Sequence, residues 1–385
     1  MTYKYYTLPI TAFILILNVC AAYIIFSDQN NLIGDLVGIS TTQHSVIYSL
    51  FLIAISLIGM ALLFDMLEKI KPLLSIKDSD IFPLILITLE LSFIIYVQFT
   101  GFFVAGNNAR AGTLISAFFV LINIDVLVLI FITHCKDSKY KGLITALWVL
   151  SFIQRGWISY LFLLILITYV GRRVKNKNNW KIGIVTVLFV LILPYVQNLK
   201  NDIRNTGGNE LPVSYSESIG QQLKKVIDRV QTVSHVAFIL DNEVNLQKLK
   251  NSRVSTDFYQ ENISSVFLNK INLKNDALNT SDLLAKYIAT DYDTSWNVNP
   301  SLVGWIIIQN DYYLLPVLWV IFLCLVFTML SKAISNDEYT QNMRWLFWLV
   351  FLFPGWIFQF SSVILSLFIY ILIHIAIGKF KRFIL

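Results

Sequence analysis

The sequence predicts an all-α protein, a polytopic transmembrane helical bundle of about ten spans with a large, partly helical extracytoplasmic loop. Three observations carry that expectation. Of 385 residues, 56% are hydrophobic and 14% charged, with a mean hydropathy of +0.65. A typical soluble domain carries roughly 25% charged residues, so this chain cannot cover itself with polar surface. The apolar residues also fall in runs of spanning length, and the basic residues are unevenly distributed between the runs.

A spanning helix needs about 20 mostly apolar residues at about 1.5 Å rise each. The runs lie at 7–26, 46–64, 81–103, 113–134, a pair within 142–171, 182–197, 312–331, and a pair within 344–378. Basic clusters follow alternate runs, at Lys69–Lys77, Lys136–Lys141, Arg172–Lys181, Lys332–Arg344 and Lys379–Arg382. By the positive-inside rule these ends, with Lys4, are cytoplasmic; both termini are then cytoplasmic and 27–45, 104–112 and 196–311 lie outside. The chain divides into an N-terminal membrane bundle at 1–195, a loop domain at 196–311 and a C-terminal bundle at 312–385.

The formal net charge of +6 follows the same division. Residues 196–310 hold 11 Lys/Arg and 12 Asp/Glu, leaving 19 basic and 12 acidic residues in the rest of the chain. The excess belongs to short inner loops, which excludes a nucleic-acid-binding groove. Cys20, Cys135 and Cys324 fall in or beside apolar runs, so the large loop has no disulfide framework. Leu17-Asn18-Val19-Cys20 lacks the small residue of a lipoprotein cleavage box and reads as the middle of a first span.

The paired runs allow only about 15 residues per helix at 142–171, some 22 Å against a ~30 Å hydrocarbon core. Their turns, near Gln154-Arg155-Gly156 and Phe353-Pro354-Gly355, should lie below the outer surface, where irregular backbone must be buried in protein or line a cavity. In the loop, Ile219, Leu223, Val226, Ile227, Val230, Val233 and Ala237 repeat at helical spacing, and Lys224, Lys225, Asp228 and Arg229 lie opposite. An amphipathic helix is expected there.

Arg155 is the sharpest candidate for chemistry. A cation at membrane depth is functional or paired, and a guanidinium in a recessed pocket suits bidentate recognition of phosphate. Its alternative is a structural Arg bonded to helix-end carbonyls. Arg204, in Asn201-Asp202-Ile203-Arg204-Asn205-Thr206-Gly207-Gly208, follows the seventh run and should share the outer rim, with glycines that permit close approach to a ligand. Arg229 sits on the wet side of the amphipathic helix. His235 is a candidate general base for a hydroxyl, against the alternative of a His packed on a helix flank. Asp291-Tyr292-Asp293 has the D-x-D spacing with which some glycosyltransferases hold a divalent metal, but so short an acidic pattern arises by chance, and no metal site is assigned. Glu90 and Asp125 should share a depth in neighbouring spans, far from the outer pocket, as interior packing groups or the carboxylates of a proton-coupled transporter.

The layout resembles the O-antigen polymerase family, the repeat-unit polymerases of bacterial surface polysaccharides. The likeness rests on Gln154-Arg155-Gly156 at a short hairpin, Arg204 at the start of the major loop, Arg229 in Ile227-Asp228-Arg229-Val230, and Asn299-Pro300-Ser301-Leu302-Val303-Gly304-Trp305 before the next span. After Gly304, Ile306-Ile307-Ile308 stands where a Phe-Gly turn is common. That resemblance implies a cofactor-free, metal-independent membrane glycosyltransferase of the C-type superfamily in the bacterial inner membrane. Its substrates would be undecaprenyl-diphosphate-linked oligosaccharides in membrane lipid, its partners a chain-length regulator and a flippase. Arg155, Arg204 and Arg229 would hold the diphosphate, and His235 and Arg155 would serve catalysis. An O-antigen ligase is the nearest alternative, but a phosphorylated lipid A core asks for a more basic loop. A flippase should line a midplane path with polar groups.

Overall fold

In a computed structural model, the described residues are 4–72, 74–76, 79–101, 103–104, 113–135, 138–156, 159–174, 230–254, 257–261, 279–288, 298–309 and 313–384. They are helical throughout, apart from turns, loops and one isolated bridge between Asn31 and Ser40. In chain order the helices are α1 (Lys4–Ser27), α2 (Gln43–Glu68), α3 (Phe82–Thr100), α4 (Leu114–Ile122), α5 (Ile124–His134), α6 (Lys141–Arg155) and α7 (Ser159–Val174). They continue with α8 (Val233–Asp241), α9 (Glu243–Leu249), α10 (Thr280–Ile288), α11 (Ser301–Gln309), α12 (Leu314–Ile334), α13 (Glu338–Phe347) and α14 (Ile357–Ile384).

Six helical stretches among these residues are long and apolar enough to cross a membrane: Leu8–Ser27, Gln43–Glu68, Phe82–Thr100, Leu114–His134, Leu314–Ile334 and Ile357–Lys379. Their outward faces are apolar. Along α2, Ile47, Phe51, Ile55, Ile58, Leu62 and Met66 are all exposed, a continuous stripe that water does not tolerate and lipid does. The run at 182–197 lies outside the described residues.

Where chain direction must change, the sequence supplies the residue that backbone geometry demands. Thr42 caps α2 by accepting from the Ser45 N–H at 3.1 Å, and Thr113 with Ser116 forms a reciprocal cap on α4. Gly101 ends α3 and Gly156 ends α6, both in the left-handed region. The expected turns at Gly156 and Gly355 are present, but the pair at 344–378 is not two matched short helices. α13 is short and passes through one π turn at Trp348–Leu352, whereas α14 runs 28 residues. The expected unbroken span at 113–134 is interrupted at Asn123, whose φ of 36° ends α4 and whose side chain caps α5 through the Val126 N–H.

The ends that carry the basic clusters gather at one end of the bundle. Glu68, closing α2, accepts from Arg344 Nε at 2.7 Å and Nη2 at 2.9 Å, and Lys332 Nζ donates to the carbonyls of Leu67, Glu68 and Ile70. His134 Nε2 meets the Ser331 hydroxyl at 2.7 Å, tying α5 to α12. Both cations share the Glu68 carboxylate and fill their other N–H groups with backbone carbonyls, which is the condition for tolerating them in a buried place.

Of the expected amphipathic helix, 219–229 and with them Lys224, Lys225, Asp228 and Arg229 lie outside the described residues; in its remainder Gln231 and Thr232 are not helical, and Val233 through Ile239 of α8 are all buried. The helix has no wet face because α1, α2 and α11 surround it. It begins beside Asn18, nine residues before the end of α1 or about 13 Å along it, and ends where Asp241 accepts from Thr41 and Ser45 at the start of α2, both at 2.5 Å. A helix start at that depth needs acceptors for its free N–H groups. Asn18 Oδ1 accepts from the Thr232 and Val233 N–H groups at 2.8 and 3.1 Å, and Gln231 Oε1 accepts from the Ser234 N–H at 3.1 Å.

Candidate functional site

The site is built where α3, α5 and α6 pack together. Arg155 is the last residue of α6, and its side chain folds back along the helix so that Nε donates to the Ser151 carbonyl at 3.1 Å. Nη1 and Nη2 then reach Asp125 Oδ2 and Oδ1 at 2.8 and 2.7 Å, a two-pronged pair. The guanidinium carbon lies 4.9 Å from the Phe93 ring centre and 5.0 Å from that of Phe152, so aromatic faces flank the cation. The Arg155 side chain is 2% exposed and that of Asp125 13%.

Asp125 stands in the first turn of α5, where the helix dipole favours a negative charge. Glu90, on α3, is 0% exposed and interacts electrostatically with both Asp125 and Arg155 and with the Ser151 hydroxyl. The expected shared depth of Glu90 and Asp125 is therefore observed, while their expected remoteness from Arg155 is overturned. Counting helix rise alone misplaced the charge, because a long side chain at a helix end turns back toward the N-terminus by about one turn. Gln154 donates to the Ile94 carbonyl at 3.3 Å and to Gln98 Oε1 at 2.8 Å, fixing the end of α6 on α3.

The remaining candidates are placed as follows. His235 is on α8 and 3% exposed; α8 packs on α1, α2 and α11 whereas α6 packs on α3 and α5, so His235 and Arg155 belong to different helix groups. Arg204 and Arg229 lie outside the described residues, as do Asp291 and Asp293. The Asn299–Trp305 segment joins several elements. Asn299 accepts from the Trp356 indole N–H, the Leu302 N–H donates to the Phe353 carbonyl at 2.9 Å, and Gly304 sits where a Cβ would meet Ile239 Cδ1 at 2.5 Å. Asn123 Nδ2 donates to Ser362 Oγ at 2.8 Å. The interruption at Asn123 is thus tied to α14, and that at Phe353–Gly355 to the start of α11, which packs on α8.

A second buried polar group escaped the sequence reading. Glu261 accepts from the Thr280 N–H and hydroxyl and from Trp305 Nε1, and Gln309 donates to the Thr280 hydroxyl. Burial pushes the Glu261 carboxyl above the ordinary glutamate range, opposed by those hydrogen bonds and by the charge of Lys250. A raised folded-state value means stability that is complete below the ordinary value and lost as pH rises through the raised one. Glu261→Gln should therefore flatten the pH dependence of the melting temperature on the alkaline side of the ordinary glutamate range; an unchanged profile would remove Glu261 as its source. In sequence the only signal was Trp305, whose indole needs an acceptor when buried. The acceptor's position, 44 residues away, was not readable.

Together these features define an all-helical protein with, among the described residues, six helical stretches fit to cross a membrane and a buried charge cluster where two of them, at α3 and α5, meet α6. No family model, curated protein or solved structure matches the chain.

Proposed function

We propose that the protein is an O-antigen-polymerase-type membrane glycosyltransferase. It joins undecaprenyl-diphosphate-linked repeat units on the outer side of the bacterial inner membrane, with about ten spans, both termini cytoplasmic and the segment 196–311 outside. A hydroxyl of the incoming unit attacks the anomeric carbon of the growing glycan. The bond from that carbon to the diphosphate breaks, its electron pair leaves with undecaprenyl diphosphate, and the hydroxyl proton passes to a base; His235 is the candidate from the sequence, and its helix group is not that of Arg155. The observation that supports this reading most is Arg155, a two-pronged donor buried beside a helix break. Once its prongs pass from Asp125 to a ligand, such a donor stabilises the charge that grows on a leaving diphosphate. Arg204 and Arg229 complete the proposed diphosphate set.

A specific observation favours a second reading, a flippase or transporter: Arg155, Asp125 and Glu90 lie among apolar helices instead of at an outer rim, and interrupted helices are a feature of transport sites. Two experiments decide. In cells lacking the protein, a glycan gel should show single repeat units on lipid A; units trapped inside the cell would mean a flippase, and long unattached polymer a ligase. Purified protein should polymerise lipid-linked units in the presence of EDTA, because the proposed arginines handle the diphosphate. Activity lost to chelation and restored by Mg²⁺ or Mn²⁺ would promote Asp291 and Asp293 instead.

A further inference from the structure

As the site stands, the Arg155 fork is engaged. Both terminal nitrogens are on Asp125, Nε is on Ser151, and Phe93 and Phe152 lie against the guanidinium. Each terminal nitrogen keeps a second N–H, but an oxyanion that takes the two-pronged face displaces the Asp125 carboxylate, which then shares a buried space with Glu90 and has lost its cation. Two adjacent buried carboxylates without a cation do not both stay ionised.

The helices packed on α5 offer no replacement among the described residues. α3 brings Glu90. α6 brings Arg155 and, at its opposite end, Lys141, which donates to the Cys135 carbonyl. α13 brings Glu338 and Arg344, the latter held by Glu68. α14 brings Ser362 to Asn123 and, toward the basic end, His374 against Phe82. His134, on α5 itself, is engaged by Ser331.

We propose that capture of a phosphate-type oxyanion at Arg155 is coupled to the uptake of one proton by the Asp125–Glu90 pair, with Asp125 as the displaceable occupant of the site. The proton comes from solvent and goes to a carboxylate oxygen, and no other bond changes. Binding is then a three-way exchange in which the anion gains the fork, Asp125 gives it up, and the proton restores neutrality. The bound state holds one more proton, so affinity rises as pH falls, by at most about tenfold per pH unit. This inference rests on the reading of Arg155 as a diphosphate-binding residue.

The test is calorimetric titration of the full chain in lipid nanodiscs with farnesyl diphosphate, in buffers of different ionisation enthalpy at fixed pH. After subtraction of the ligand's own ionisation, the wild type should take up about one proton per molecule bound. Asp125→Asn, which leaves the fork without a charged occupant, should bind tighter and take up none. Zero net uptake in the wild type, which needs no variant to fold, overturns the coupling, as does equal uptake in wild type and Asp125→Asn. If Arg155→Ala binds farnesyl diphosphate as well as wild type, the assignment of Arg155 to the ligand fails, and the coupling fails with it. If Arg155→Ala abolishes binding while uptake is zero, only the coupling fails.

Discussion

Arg155→Ala is expected to lower the polymer formed per molecule of inserted protein by roughly 30- to 1,000-fold, equivalent to about 2–4 kcal/mol of transition-state stabilisation. Arg155→Lys should also be substantially impaired, because an ammonium keeps the charge but loses the fork. The structure adds a second consequence. Asp125 and Glu90 both face this one guanidinium, and breaking a buried pair by removing one partner costs about 3–5 kcal/mol of stability. Arg155→Ala alone should therefore reduce the amount of inserted protein as well. Arg155→Ala combined with Asp125→Asn removes the stranded charge, so it should recover inserted protein without recovering polymerisation. The measurement is polymer length and yield per unit of protein in the membrane fraction. If the double variant regains near-normal activity per molecule, Arg155 is structural and Arg204 becomes the principal diphosphate candidate.

Gly355→Ala should be strongly destabilising. Gly355 has a φ of +80°, and a Cβ there would lie 2.6 Å from the Ser301 carbonyl carbon, closer still to its oxygen, and 3.2 Å from the Leu302 nitrogen. These are backbone atoms, which have no rotamer by which to move aside. The left-handed conformation alone costs a non-glycine residue about 1–2 kcal/mol, and the clash adds to it, so a total above about 3 kcal/mol is expected. Ser301 is itself left-handed, with a φ of 60°, which leaves the opposing segment little freedom to retreat. The check is the thermal unfolding midpoint in detergent beside Gly378→Ala, at a helical position where a Cβ meets nothing within 4 Å. Equal midpoints for the two variants would mean that the contact between the Phe353–Gly355 turn and α11 does not hold the bundle together.

Helix existence was legible in the chain because it depends on local composition. A run such as 46–64 or 312–331 can satisfy its backbone in an apolar solvent only as a helix, whatever surrounds it, and α2 and α12 follow. The turns at Gly156 and Gly355 were legible for a related reason, since the runs were too short and glycine is the residue that reverses a helix end most cheaply. Arg155 was conspicuous as a cation where cations are costly. Its partner was not. Asp125 is reached because the side chain of Arg155 folds back and Asn123 breaks the facing span two residues before Asp125, and neither event has a signature at position 155. The helix carrying His235 shows the same division. Its apolar spacing marked it as helical, yet whether one face or all faces are covered depends on which neighbours come to it, and Asn18, which caps it, stands in the middle of α1. Composition and spacing act along the chain within a few residues; the pairing of a buried charge and the burial of a helix are set by residues far apart in sequence that only packing brings together.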